Sequence, residues 1–205
     1  MKTRLYRHYK NKTYKLLGLV RHSETLEEMA LYETLYLNDL GQMWVRPKEM
    51  FLGKTEVNGK MVERFAQVEL RVENVTKLTS EFLKIIREIS KACSVMYDET
   101  KTLEEVVLLQ VVFDLEKPVA FKIGYAESTD VFVSQLTAVL PDYHHLGIAS
   151  ALGELQQQWA HTSKFTKIRS YLFNNNAHML RLNLKKGFHI VSIDSANRIQ
   201  TEKNI

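Results

Sequence analysis

The sequence predicts an α+β protein in two parts. Residues 1–70 read as a small all-β, barrel-like module, and residues 76–205 as a mixed sheet flanked by helices. Three observations carry this reading. The first 65 or so residues hold several short aromatic and β-branched runs broken by turn signals. The second part opens with antiparallel strand patterns and then runs helix, strand, helix, strand. The boundary coincides with a helical apolar spacing that begins near Leu78.

The elements follow in order. "KNKTYKLLGLVRH" suggests a hairpin strand with its turn at Asn11-Lys12. "EEMALYETLYLND" fits a short helix or a strand around "MALYETLY", and the alternation favours the strand. "GQMWVRPKEMF" supplies a strand ended by Pro47 and a short turn. "TEVNGKMVERF" places Asn58-Gly59 between apolar flanks, the strongest hairpin signal in the chain. Leu78, Phe82, Ile85, Ile86 and Ile89 recur at helical spacing, with Thr79 or Ser80 as N-cap. Three strands are predicted at 107–114, 119–127 and 131–140, with turns near Glu116-Lys117-Pro118 and Ser128-Thr129-Asp130. An amphipathic helix follows on Ile148, Ala151, Leu152, Leu155 and Trp159. "TKIRSYLF" is a further strand, "NNAHMLRLNLKKGF" a helix stopped by Gly187, and "HIVSID" a final strand.

Composition narrows the function classes. The chain has 205 residues, 45% hydrophobic and 25% charged, as in ordinary soluble proteins. Its longest apolar runs are too short to span a bilayer, and "MKTRLYRHYKNK" lacks the apolar core of a secretory signal. A single cysteine, Cys93, forms no internal disulfide and excludes a cysteine-based metal cluster. A cytoplasmic protein with no metal and no membrane partner is expected. The net charge of +4 sits mainly toward the N-terminal end. No helix or stripe concentrates it, which argues against nucleic acid as the partner.

The most informative stretch is "AVLPDYHHLGIASAL". A β-prone run stops at Pro141, a polar turn follows, and one glycine leads into a helix of small residues. At such a helix start up to four backbone N–H groups lack intrahelical partners, and the dipole adds about half a positive charge. Together they form an anion site. Gly147 allows close approach of the backbone, and Ala149, Ser150 and Ala151 keep it open. His144 and His145 either contribute there or face solvent on an exposed turn. With a reference pKa near 6.5, a histidine beside a diphosphate would strengthen binding as pH falls.

Two resemblances add to this. Residues 3–68, through "YRHYKNKTYKLLGLVRHSETLEEMALYETLY" and "MWVRPKEMF", resemble a small bacterial family of unknown function. That implies a compact all-β module. Within it Tyr6, His8, His22, Tyr36, Trp44 and Arg46 could line a binding face or serve as core aromatics and structural hydrogen bonds.

Residues 76–205 resemble the GNAT N-acetyltransferases. The carriers are His144-His145-Leu146-Gly147-Ile148-Ala149, the strand end Val139 to Tyr143, and Asn176 eleven residues before Gly187-Phe188. The resemblance implies acetyl-CoA as co-substrate, bound between two splayed strands. Backbone groups of Thr137, Ala138 and Val139 would pair with the pantetheine arm. Amides from His145 through Leu146, Gly147, Ile148 and Ala149 to Ser150 would hold the pyrophosphate, with His144 beside them. Asn176 would reach the pantetheine or the phosphates. The implied reaction is direct acetyl transfer to the amine of a small molecule or peptide, with a backbone N–H near Val139 or Leu140 facing the oxyanion. The resemblance also implies pairing of the domain into a homodimer.

The amine must lose a proton, so a carboxylate or a relayed water is expected as general base. The strand "DVFVSQLTAVL" has no carboxylate in its interior, so Glu127 is the candidate, with Asp130 next. The family's proton-donating tyrosine, four residues before Gly-Phe, is replaced by Asn183, which cannot give up a proton. Tyr171 is another proton source or a packed strand residue. The alternative to a transferase is a non-catalytic acyl-CoA-binding regulatory protein. Acceptor specificity is expected from residues around 79–105 and from the first module.

Overall fold

In a computed structural model of the chain, residues 4–36, 39–97, 107–173 and 176–205 are described. Leu37 and the 98–106 part of the expected acceptor-specificity region lie outside them. The chain divides into two compact units. One is Met1–Arg71 with Phe113–Lys117 and Pro141–Leu146; the other is Val72–Val112, Pro118–Leu140 and Gly147–Ile205.

The first unit is built on β1 (Leu5–His8), β2 (Thr13–Arg21), β3 (Glu28–Thr34), β4 (Met43–Pro47) and β7 (Phe65–Gln67). They form one antiparallel sheet in the order β4-β3-β2-β1-β7. β4 and β7 are its two edges, so the sheet stays open and the barrel-like closure expected from the sequence does not occur. A helix, α1 (Lys48–Leu52), occupies the place where a short turn after Pro47 was expected. Pro47 suits a helix start because its missing N–H would be unpaired there anyway. α1 turns Phe51 into the centre of the aromatic core, fully buried. Ala30, Tyr32, Phe51 and Phe65 form that core, with Tyr6, Tyr14, Leu16 and Trp44 against it. Phe51 and Phe65 stack at 4.2 Å between ring centroids. β5 (Lys54–Val57) and β6 (Lys60–Glu63) form the expected hairpin, but as a two-stranded sheet of its own and not as part of the larger one. Asn58 and Gly59 both take positive φ at its turn, as the two-residue connection requires.

The seven-stranded sheet of the remaining chain runs β13-β14-β12-β11-β10-β9-β8. Its strands are β8 (Leu70–Val75), β9 (Val107–Asp114), β10 (Lys117–Ala126), β11 (Val131–Val139), β12 (Lys167–Phe173), β13 (His189–Ile193) and β14 (Arg198–Asn204). Its helices are α2 (Ser80–Ala92), α3 (Ile148–Thr162) and α4 (Ala177–Lys185). Thr79 caps α2 by accepting the Phe82 amide at 3.5 Å. A core of Leu108, Phe132, Ala160, Phe165, Ile168 and Phe188 joins strands to helices.

Three strands, β7, β8 and β14, went unread in the sequence. "RIQTEKN" buries Ile199 and Thr201 on one face and Glu202 on the other, so neither face carries more than one aliphatic residue and no apolar alternation shows.

Candidate functional site

The second unit contains an opening made by one extra residue. β10 and β11 pair antiparallel, but the register steps from Ile123↔Leu136 to Gly124↔Ser134, leaving Gln135 as a bulge. On the other side, β12 pairs in parallel with β11 only at Val131↔Lys167, Phe132↔Ile168 and Val133↔Arg169. From Ser134 onward β11 keeps its ladder to β10 and has none to β12. Gly124 makes the bulge possible. A Cβ at that position would sit 2.4 Å from the Val133 carbonyl oxygen and 2.5 Å from the Phe132 ring.

The opened half of β11 leads, through a short 3-10 turn at Pro141–Tyr143, to the start of α3. Gly147 is the N-cap residue at φ +73 and no side chain caps the helix. Ala151 is the first residue to donate back, to the Gly147 carbonyl at 3.0 Å. The amides of Ile148, Ala149 and Ser150 precede that first helical bond, and among the described residues none has a hydrogen-bond partner. A 15-residue helix thus presents its positive end with unclaimed donors.

Beneath lies a narrow cavity of about 20 Å³, room for about one water. Its walls include Lys122, Ser134, Gln156, Ser170, Asn183 and Lys186. Lys122 is 6% exposed, and its Nζ donates to Thr137 Oγ1 at 2.9 Å. Burial, and then the neighbouring Lys186 charge, lower its pKa to about 8. Lys186 itself donates to the Ser150 carbonyl at 2.5 Å and to Glu154 at 3.0 Å. Gln156, 1% exposed, has a buried Nε2 with no partner.

The residues expected from the sequence fall in several places. Thr137, Ala138 and Val139 lie on the opened half of β11. The Val139 carbonyl accepts the Cys93 thiol at 3.2 Å, and burial raises that thiol's pKa. The Leu140 amide is spent on the Val119 carbonyl at 2.9 Å, which removes it as an oxyanion donor. Gly147, Ile148, Ala149 and Ser150 form the helix start. His144, His145 and Leu146 belong to the first unit, where both histidines line a cavity with Asn11, Lys12, Thr13 and Tyr36. Asn176 caps α4, accepting the Met179 amide at 3.2 Å through Oδ1, so only its Nδ2 is left to donate.

Glu127 is not brought to this site. Its amide donates to the Val131 carbonyl at the opposite end of β11, roughly 20 Å from Thr137 at 3.3 Å per residue. Its carboxylate is also engaged, by Arg169 on one oxygen and by the Tyr171 hydroxyl on the other at 2.9 Å. Arg169 in turn binds Glu202 at 2.7 Å. Tyr171 is held at that same end, its pKa raised by burial and by the bond to Glu127. Asp130 sits there too, accepting Ser128 Oγ at 2.7 Å. Asn183, in the position of the family's tyrosine, donates to Thr201 Oγ1 at 3.2 Å.

In the first unit the candidate residues do not share one environment: His8 and Tyr36 line two different cavities, and His22 is exposed in a turn. Tyr6 and Trp44 lie against the aromatic core. His8 contacts the Phe65 ring at 4.8 Å, and Tyr36 shares a 2.8 Å hydrogen bond with Tyr14. His22 Nδ1 accepts the Glu24 and Thr25 amides in a turn, and Arg46 lies 6.0 Å from the Phe65 ring.

Lys122, Gln156 and Lys186 were missed. Lys122 had a readable signal, a lone cation inside the apolar run "PVAFKIGYA". A charge at that point of a buried strand needs a reason.

Comparison with known proteins gives the following. Residues 4–67 match the family described as Protein of unknown function (DUF1653). The rest of the chain has the fold of GNAT acetyltransferases. Ard1 from Thermoplasma volcanium is 18% identical with a TM-score of 0.52, covering 65% of this chain and 97% of that one. The PaiA N-acetyltransferase from Thermoplasma acidophilum, in complex with coenzyme A, is 13% identical with a TM-score of 0.53, covering 67% and 99%. Arabidopsis thaliana Naa50, in complex with the bisubstrate analogue CoA-Ac-MVNAL, is 15% identical with a TM-score of 0.54, covering 65% and 99%. A comparison with curated proteins returned no match. Among the described residues no helix is long and apolar enough to cross a membrane.

Proposed function

We propose that the chain is an N-acetyltransferase that moves an acetyl group from acetyl-CoA directly to an amine. The observation that carries this reading is the opened half of β11 running into an uncapped helix start. A pantetheine arm is a strand-like ligand with two amides, suited to the main-chain groups of Thr137 and Ala138. A pyrophosphate is suited to the amides of Gly147, Ile148, Ala149 and Ser150. The fold shared with coenzyme A-bound neighbours supports the same assignment. The proposal rests on the second unit alone and does not need His144 or His145.

Glu127 is withdrawn as base, since its carboxylate is paired and distant. The amine enters the reaction as its free base, and its second proton leaves to water. Asn183 supplies no proton to the departing thiolate.

The test is thiol release from acetyl-CoA over a panel of small amines and peptides with free N-termini. Acceptor-dependent release supports the transferase. The engaged Asn183 and the absence of a carboxylate from the cavity wall among the described residues favour a second reading, a non-catalytic acyl-CoA binder. Thermal protection by acetyl-CoA without thiol release over the whole panel would select it.

A further inference from the structure

The cavity under α3 is lined by two lysines, Lys122 and Lys186, and by a glutamine with a buried, unpaired donor. Lys122 Nζ enters it from β10, buried, and has no carboxylate partner among the described residues. Among the described residues its one hydrogen-bond partner is Thr137 Oγ1. Gln156 Nε2 enters from α3 and is unpaired. Lys186 lines the same cavity. A buried ammonium and an orphaned amide donor are both costly unless an acceptor arrives. Asn183, which stands where a tyrosine would donate a proton, lines the same space with its amide already committed to Thr201.

We propose that Lys122 is the general acid of this site, protonating the coenzyme A sulfur as it leaves. This inference rests on the transferase reading above. The geometry behind it is the 2.9 Å bond that anchors Lys122 to Thr137, on the strand segment assigned to the pantetheine arm. In the step, the amine nitrogen forms a C–N bond to the acetyl carbon and the C–S bond breaks. Its electron pair goes to sulfur, and a proton passes from Lys122 Nζ to that sulfur. Lys122 recovers a proton from water once the thiol has left. A lysine with an ordinary pKa would hold its proton too tightly for this; burial and the Lys186 charge bring it into range. The charged groups around it are Lys186 at the end of α4, Glu154 on α3, and Lys203 of β14, which binds Gln157 of the cavity wall at 2.8 Å.

The experiment is the pH–rate profile of thiol release for the wild type, Lys122→Met and Lys122→Arg, with acetyl-CoA binding measured by calorimetry. An acid must carry its proton, so the wild-type kcat is expected to fall above about pH 8. Lys122→Met is expected to lose that alkaline limb, to lower kcat about 100-fold, and to leave acetyl-CoA affinity within threefold. Lys122→Arg keeps the charge but does not release its proton, so it is expected to stay at the level of the Met variant. A Met variant with the wild-type rate and limb, or an Arg variant restored to the wild-type rate, overturns the assignment. A wild-type chain that binds acetyl-CoA and releases no thiol with any amine overturns the transferase reading itself and takes the acid with it.

Discussion

The two ends of β11 differ in a way that locates the chemistry. At Val131–Val133 the strand is paired on both sides, and the charges around it satisfy one another: Glu127, Arg169, Glu202 and Tyr171 form a closed set. At Ser134–Val139 the strand is paired on one side, and what surrounds it is unbalanced: a buried ammonium, an orphaned glutamine donor and the bare amides of α3. The bulge at Gln135 falls just past the point where the pairing with β12 ends. A carboxylate near a strand end is therefore no guide to a site. A buried donor left without a partner is a better one.

The sharpest way to break the contrast is to close the bulge. Gly124→Ala places a Cβ against the Val133 carbonyl and the Phe132 ring, both rigid neighbours. It should destabilise the fold by about 3 kcal/mol or more, read by urea denaturation.

Next comes Lys122→Met. The lysine pKa falls from 10.5 to about 8 on folding. Below pH 8 both states hold the proton, and the native state bears the full penalty, on the order of 3 kcal/mol. Between the two values the unfolded chain binds more protons, so native stability rises with pH. The Met variant loses the Thr137 bond, worth about 1 kcal/mol. It should therefore be about 2 kcal/mol more stable than wild type at pH 7, with the gap closing by pH 10. Melting temperatures at the two pH values check this.

Gly147→Ala tests the helix start. No atom lies within 4 Å of a Cβ there, so only the left-handed backbone resists. The expected loss is about 1 kcal/mol. The smallest effect is at the closed end. Glu127→Gln breaks a partly exposed pair and should cost about 0.5 kcal/mol, with thiol release unchanged within twofold.

Much of the architecture was legible. Asn58-Gly59 announced its hairpin, Thr79 its helix, and Pro141 with Gly147 the strand-to-helix passage. These are local signals, set by φ preferences and capping. Lost to the reading was whatever depends on pairing partners. β14 buries Thr201 and Glu202 rather than an apolar stripe, and barrel closure needs an edge contact that β4 and β7 do not make. Glu127 looked available because its neighbours in the sequence are neutral, whereas its partners come from 42 and 44 residues away.

The central claim is that the bare amides at the start of α3 hold a pyrophosphate. Calorimetric titration with coenzyme A and, separately, with pantetheine, which lacks the pyrophosphate, tests it most directly. Coenzyme A should bind at least about 100-fold more tightly, a difference of about 3 kcal/mol. Equal affinity for the two, or no binding of coenzyme A, would contradict it.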